Sequence, residues 1–188
     1  MKFYESGDSS KPVIFLFPGT CCLYSSFDHI LDRLHSYFYT VTVSYDGFDP
    51  NEKTEFYSME DECEKIEQEI KKKYDGRIKA AYGCSLGGSF VSLLIQRKRI
   101  HIDHGIIGSS DMDEAGQFMA KIQSSVVVPI MYKMVHTGKL SKFMQKKINE
   151  ADESRKKLID GFVNMFGIDK GGSPWITKQS IYNQFYSD

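Results

Sequence analysis

Along this chain, unbroken apolar runs alternate with segments whose apolar residues recur every three or four positions. Val13 to Phe17 (VIFLF) is continuous, as expected of a strand buried on both faces. Over residues 25–36, Phe27, Ile30, Leu31 and Leu34 share one face of a predicted helix. Tyr39 to Ser44 is β-rich and is broken by the turn residues Asp46-Gly47-Phe48-Asp49-Pro50. Ser58 and Asp61 then have capping-box spacing ahead of a helix striped by Met59, Cys63, Ile66, Ile70 and Tyr74. Lys79 to Cys84 predicts another strand, and Phe90, Val91, Leu94 and Ile95 the apolar face of the helix after it. Ile102 to Ser109 reads as a further buried strand, where Gly105 and Gly108 permit close approach. Residues 2–6 predict a short first strand, closed by the polar turn GDSSKP. Strands separated by helices imply an α/β fold, a mostly parallel sheet with helices on both faces.

Beyond Asp113 the pattern changes. Met112 to Lys139 and Leu140 to Phe166 are helix-like and contain Met112, Met119, Met131, Met134, Met144 and Met165. Flexible methionines suit a surface that shapes itself to apolar groups, and they equally fill helical cores. A loop at Gly171-Gly172-Ser173-Pro174 precedes a last predicted helix from Trp175 to Tyr186.

The candidate chemistry sits where the strand ending at Cys84 meets its helix, in the sequence Gly83-Cys84-Ser85-Leu86-Gly87. A serine hydroxyl becomes a useful nucleophile when the backbone thrusts it out sharply beside a base. Small neighbours are needed because strand end, helix start and serine backbone crowd together. Three fixed positions match by chance in roughly one chain in ten of this length. The strand before and the helix after therefore matter more than the pentapeptide. The same residues would also suit a glycine-rich turn whose serine only caps the helix. Serine acyl transfer also needs two backbone N–H groups aimed at the oxyanion. One comes from the residue after the nucleophile, here Leu86, and the other from a glycine-containing turn after an earlier strand. Pro18-Gly19-Thr20 ends the VIFLF run, and Thr20 fits that place.

These residues resemble the α/β-hydrolase superfamily: VIFLFPGT at 13–20, SSFDHILDRLHS, FYTVTVSYDG, and the elbow YGCSLGG at 82–88. The resemblance spans roughly residues 1–111. It implies Ser85 as nucleophile, Thr20 and Leu86 as oxyanion donors, and Gly19, Cys21 and Met112 bordering the substrate. Pro18 stands where many members carry histidine, a departure that leaves the backbone donor intact. The acid is expected at Asp111, following Gly108-Ser109-Ser110, with Asp113 as second candidate; either could instead cap the next helix. Residues 1–111 would then form the hydrolase core and 112–188 a helical lid or cap, as members commonly insert after that strand.

Composition narrows the partners. A formal net charge of −1 over 188 residues offers no electrostatic case for nucleic acid or acidic membranes. Lys71, Lys72 and Lys73 end a helix that begins Glu60, Asp61, Glu62, so the charges complement its dipole. No stretch reaches the length of a membrane span, and the N-terminus lacks the apolar core of a secretory signal. The four cysteines, Cys21, Cys22, Cys63 and Cys84, have no metal-ligand spacing and read as reduced thiols of a cytoplasmic protein. No cofactor or metal is expected. A dinucleotide site is disfavoured, since Pro18-Gly19-Thr20 lacks spaced glycines and no Walker lysine follows.

The awkward feature is histidine. The family order is serine, acid, histidine, with the last two after later strands. Past Asp113 no further convincing strand is read, and His136 is the only histidine there. His29, His35, His101 and His104 lie on early or distal elements. The chain is therefore expected to be the N-terminal portion of a serine hydrolase of small esters, thioesters or amides, with base and possibly acid supplied from outside it. The alternative is a catalytically silent module that binds a small apolar ligand or protein partner. In either case residues 102–109 would form an exposed sheet edge that invites homo-oligomers.

Overall fold

The computed structural model describes residues 1–108, 117–140 and 142–187. Its sheet contains β1 (Lys2–Ser6), β2 (Val13–Phe17), β3 (Tyr39–Ser44), β4 (Arg77–Cys84) and β5 (His101–Gly108), in the order β1-β3-β2-β4-β5. β1 runs antiparallel to β3, and every other pairing is parallel. Side chains alternate across a strand, and this divides VIFLF between two layers. Phe15 and Phe17 enter the larger core, whereas Ile14 and Leu16 enter a smaller one on the opposite face. Val41 and Val43 of β3 join the larger core in the same way.

α1 (Asp28–Leu34) covers the smaller core with Ile30, Leu31 and Leu34. The helix expected over 25–36 is shorter, because Tyr24–Phe27 winds as a 3-10 turn first. There Ser26 N–H bonds the Leu23 carbonyl at 3.0 Å, the i→i+3 spacing of that tighter winding. α2 (Met59–Lys73) and α3 (Leu86–Arg97) cover the larger core with Cys63, Ile66, Ile70, Phe90, Val91 and Leu94. The start of α2 is capped as its spacing predicts, with Asp61 N–H donating to Ser58 Oγ at 3.1 Å.

The later chain is helical: α4 (Gln117–Thr137), α5 (Lys142–Asn149), α6 (Glu153–Met165) and α7 (Lys178–Ser187). The single helical stretch expected over 140–166 is two helices, because Asp152 Oδ1 accepts Arg155 N–H at 2.8 Å and caps a new one. α7 starts later than Trp175 for the same kind of reason, since Thr177 Oγ1 accepts Ser180 N–H at 3.0 Å. Trp175 instead donates its indole N–H to the Phe48 carbonyl at 3.4 Å. Val128 and Val135 of α4, with Ile176 and Ile181 around α7, belong to the same buried cluster as the strands. Met134 is buried and Met131 packs against that core. Among the described residues, no helix is long and apolar enough to cross a membrane.

One buried cluster couples folding to pH. Glu62 is fully buried; its Oε2 accepts Asp46 N–H at 3.0 Å and its Oε1 accepts Lys65 Nζ at 2.7 Å. Burial pushes its carboxyl up to about 7, with the nearby Asp46 carboxylate adding to the rise and Lys65 opposing it. The folded protein thus holds this proton across a window from about 4.5 to about 7 in which the unfolded chain has released it. Stability from this group is present at the acid end and is lost as pH rises through the window. Urea unfolding should lose on the order of 2 kcal/mol over it, and Glu62→Gln should flatten the slope. A variant as steep as the wild type would exclude Glu62 as the cause.

Candidate active site at the strand-to-helix turn

Only Ser85 separates the end of β4 from the start of α3. It turns the chain with φ 54° and ψ −130°, a region that side chains rarely adopt. The crowding that this reversal creates falls on two glycines. A Cβ on Gly83 would sit 1.9 Å from the Gly87 carbonyl oxygen, and a Cβ on Gly87 would sit 2.1 Å from that of Phe17. The first turn of α3 therefore rests directly on the end of β2. Ser85 N–H donates to the Gly108 carbonyl at 2.9 Å, which ties the turn to the end of β5. The Ser85 carbonyl accepts Gly88 N–H at 2.7 Å and starts the helix. The side chain is half-buried, and among the described residues its Oγ has no hydrogen-bond partner.

The turn after β2 lies against this serine. A Cβ on Gly19 would be 3.7 Å from Ser85 Cβ and 3.2 Å from the Cys84 carbonyl oxygen. Cys22 N–H closes the turn onto the Gly19 carbonyl at 3.0 Å, with Thr20 and Cys21 as its central residues. Tyr45, stacked on Phe90 with ring centroids 4.7 Å apart, donates its hydroxyl to the Pro18 carbonyl at 3.1 Å. Leu86 N–H is a first-turn amide of α3, among the donors a helix leaves without an internal partner, at the positive end of its dipole.

The other predicted residues are placed as follows. Gly19 is buried beside Ser85 and Thr20 is half-buried. Cys21 turns inward, its thiol fully buried and its N–H donated to Gln184 Oε1 at 2.8 Å. Asp111, Met112 and Asp113 lie outside the described residues. All four cysteines are free. Burial pushes the Cys22 thiol up to about 12, with Cys84 adding to the rise, so it is a neutral thiol near neutral pH.

No histidine is hydrogen-bonded to Ser85 among the described residues. His35 Nε2 lies 2.9 Å from Ser6 Oγ and 3.1 Å from Thr40 Oγ1, at the far end of the strands. His101 Nε2 meets Asp103 at 3.1 Å at the start of β5, and His29 and His104 are exposed. His136 turns Nδ1 to the Ile176 carbonyl at 3.4 Å. Sequence reasoning missed Tyr45 and Gln184, which brace the turn from behind. The signal for Gln184 was a polar residue on the same helical face as Ile181.

Solved structures with this architecture cover nearly the whole chain. A thermophilic esterase from Thermogutta terrifontis superposes with a TM-score of 0.71 at 13% identity, covering 99% of this chain and 67% of its own. An alpha/beta hydrolase family protein from Desulfitobacterium hafniense gives 0.68 at 16% identity, covering 99% and 71%. The chain has the α/β-hydrolase fold. No family model and no curated protein matches the sequence. The α/β-hydrolase fold also houses 1H-3-hydroxy-4-oxoquinoline 2,4-dioxygenase, similar to this chain with a TM-score of 0.65 at 14% identity, covering 98% and 65%. Activity has to be argued from the site itself.

A residue held at Ser85's backbone angles costs on the order of 1–3 kcal/mol, and glycine escapes most of that. Ser85→Gly should therefore be more stable than Ser85→Ala by about 1 kcal/mol in urea unfolding. Equal stabilities would mean that the turn is not strained.

Proposed function

We propose that this chain provides the nucleophile and oxyanion hole of a serine hydrolase acting on a small ester, thioester or amide. The observation that carries this reading is a half-exposed serine at φ 54° between β4 and α3 with the Gly19–Cys22 turn against it. In the reaction, a histidine base supplied from outside this chain takes the Ser85 hydroxyl proton as the oxygen attacks the substrate carbonyl carbon. The carbonyl electron pair moves onto oxygen, and the Thr20 and Leu86 N–H groups hold that charge. Collapse of the intermediate expels the alcohol, thiol or amine, which leaves with the proton, and water then releases the acid from the acyl-enzyme. Asp111 is the proposed acid orienting the base. The helices after β5 serve in this reading as the lid over the acyl group, with Met112 as a substrate contact. Four unpaired thiols fit a reducing, cytoplasmic setting.

A fluorophosphonate tests the reading on the native protein, because Ser85 oxygen would bond to phosphorus as fluoride leaves. Labelling should map to Ser85 and vanish in Ser85→Ala. A native protein that stays unlabelled, yet melts higher with small apolar ligands, would instead be a binding module.

Association through β5 follows from its place at the end of the sheet order, with Ile106 and Ile107 47% and 43% exposed. An apolar strand edge with open backbone groups is a template for another strand. Sedimentation should detect self-association that Ile107→Lys weakens, and a strictly monomeric wild type would count against it.

A further inference from the structure

We infer that Gln184 is a positioning residue for the turn after β2, holding the peptide between Thr20 and Cys21 in its type II orientation and so anchoring the segment that carries the proposed donor Thr20 beside Ser85. The inference rests on the acyl-transfer reading of Ser85 and adds a residue 163 positions from the turn in sequence.

The turn closed by Cys22 N–H on the Gly19 carbonyl has Cys21 in its third position at φ 60°. A positive φ there belongs to a type II turn and ordinarily calls for glycine. With a side chain at that position, the type I turn is sterically favoured, and the two forms differ by a half-turn of the central peptide. That peptide is the one joining Thr20 to Cys21. Its N–H is held at 2.8 Å by Gln184 Oε1, in a buried contact. A flip would swing the Thr20 carbonyl toward Gln184 and take the Cys21 N–H away from it, so the turn would lose its tie to α7.

Gln184 is suited to this role. It is fully buried, and its Nε2 has no partner among the described residues. The reversed amide would set that donor against the Cys21 N–H, so the oxygen must face the turn. Leaving an amide donor buried and unpaired costs about 1–3 kcal/mol, which a residue serving only to fill space would avoid. α7 itself is anchored beside Gln184. Ser180 Oγ accepts Phe56 N–H at 3.2 Å, Asn183 Nδ2 donates to the Phe56 carbonyl at 2.7 Å, and Ile181 lies in the core. The glutamine oxygen is therefore held against a fixed frame.

The test compares the native protein with Gln184→Met and Gln184→Glu by two readouts, deuterium uptake over residues 18–23 and the rate of fluorophosphonate labelling at Ser85 across pH. Methionine keeps the length and removes the acceptor. Uptake should then rise about tenfold or more in the turn alone, and labelling should slow by about ten- to a hundredfold, approaching the loss of one oxyanion donor. Protonated glutamic acid keeps the acceptor, so Gln184→Glu should label like the wild type at acid pH. As pH rises and the carboxyl ionises, its rate relative to wild type should fall, because a buried anion opposes the forming oxyanion. A merely structural role would instead show as uptake that rises throughout the sheet with pH, and not in the turn alone. Unchanged uptake in Gln184→Met, or uptake that rises throughout the sheet, overturns the inference. If the wild type does not label, the acyl-transfer reading fails by itself and the uptake measurement still decides whether Gln184 holds the turn. Should Gln184→Met not fold, Gln184→Asn, whose shorter amide cannot reach Cys21, takes its place with the same expected outcomes.

Discussion

β4 passes into α3 through one residue, and that passage exists only because no side chain stands at positions 83 and 87. The Gly83 and Gly87 backbones approach so closely that an added methyl would fall within 1.9 Å and 2.1 Å of carbonyl oxygens. The approach seats α3 on the end of β2, and so sets the distance between Ser85 and the turn that follows β2. It also leaves Ser85 as the one residue able to reverse the chain, at the cost of its strained angles. The position of the candidate nucleophile, the direction of the helix dipole and the place of the turn after β2 are thus consequences of a single backbone contact.

Around that contact the packing is directional. Phe90, on the inward face of α3, stacks on Tyr45, with Phe17 6.3 Å away and Phe56 6.4 Å away. Tyr45 in turn reaches the Pro18 carbonyl, and Phe56 is the residue that α7 grips through Ser180 and Asn183. Aromatic rings joined in this way form a rigid block with few alternative arrangements. A shift of α7 would be felt at the turn beside Ser85 through Gln184, and at the helix behind it through Phe56 and Phe90. α7 therefore belongs to the support of the site.

Much of this architecture was legible from the residues, and the reasons differ by element. VIFLF could be read because period-two alternation puts apolar groups on two covered faces, leaving no polar position to confuse it. The elbow could be read because its steric demand excludes all but the smallest residues at two fixed offsets. The α2 cap could be read because Ser58 and Asp61 are local in sequence. The antiparallel sense of β1 could not be, since nothing within residues 2–6 encodes the direction of a neighbour. The split between α5 and α6 hid in Asp152, whose capping role competes with continued helix only through backbone geometry. Gln184 was hidden most deeply. Its partner is an amide with no side-chain signature, on the far side of the chain, and its own position reads as one polar residue in a mixed helix.

The same fold serves esterases and a dioxygenase, so the sheet by itself does not decide between chemistry and binding. The local energetics bear on that choice. A surface built only to bind gains nothing from a serine at positive φ, and glycine at position 85 would remove the strain. It gains nothing either from Cys21 at φ 60° in the adjacent turn, held by a glutamine whose buried amide nitrogen is unpaired among the described residues. Each of these is a cost of roughly 1–3 kcal/mol, against a total stability on the order of 5–15 kcal/mol for a domain. All three lie in Ser85 itself or in and behind the Gly19–Cys22 turn beside it. Strain gathered at one point is expected where a backbone must hold donors in place before a charge appears, because donors that had to reorient during reaction would lose the advantage of preorganisation.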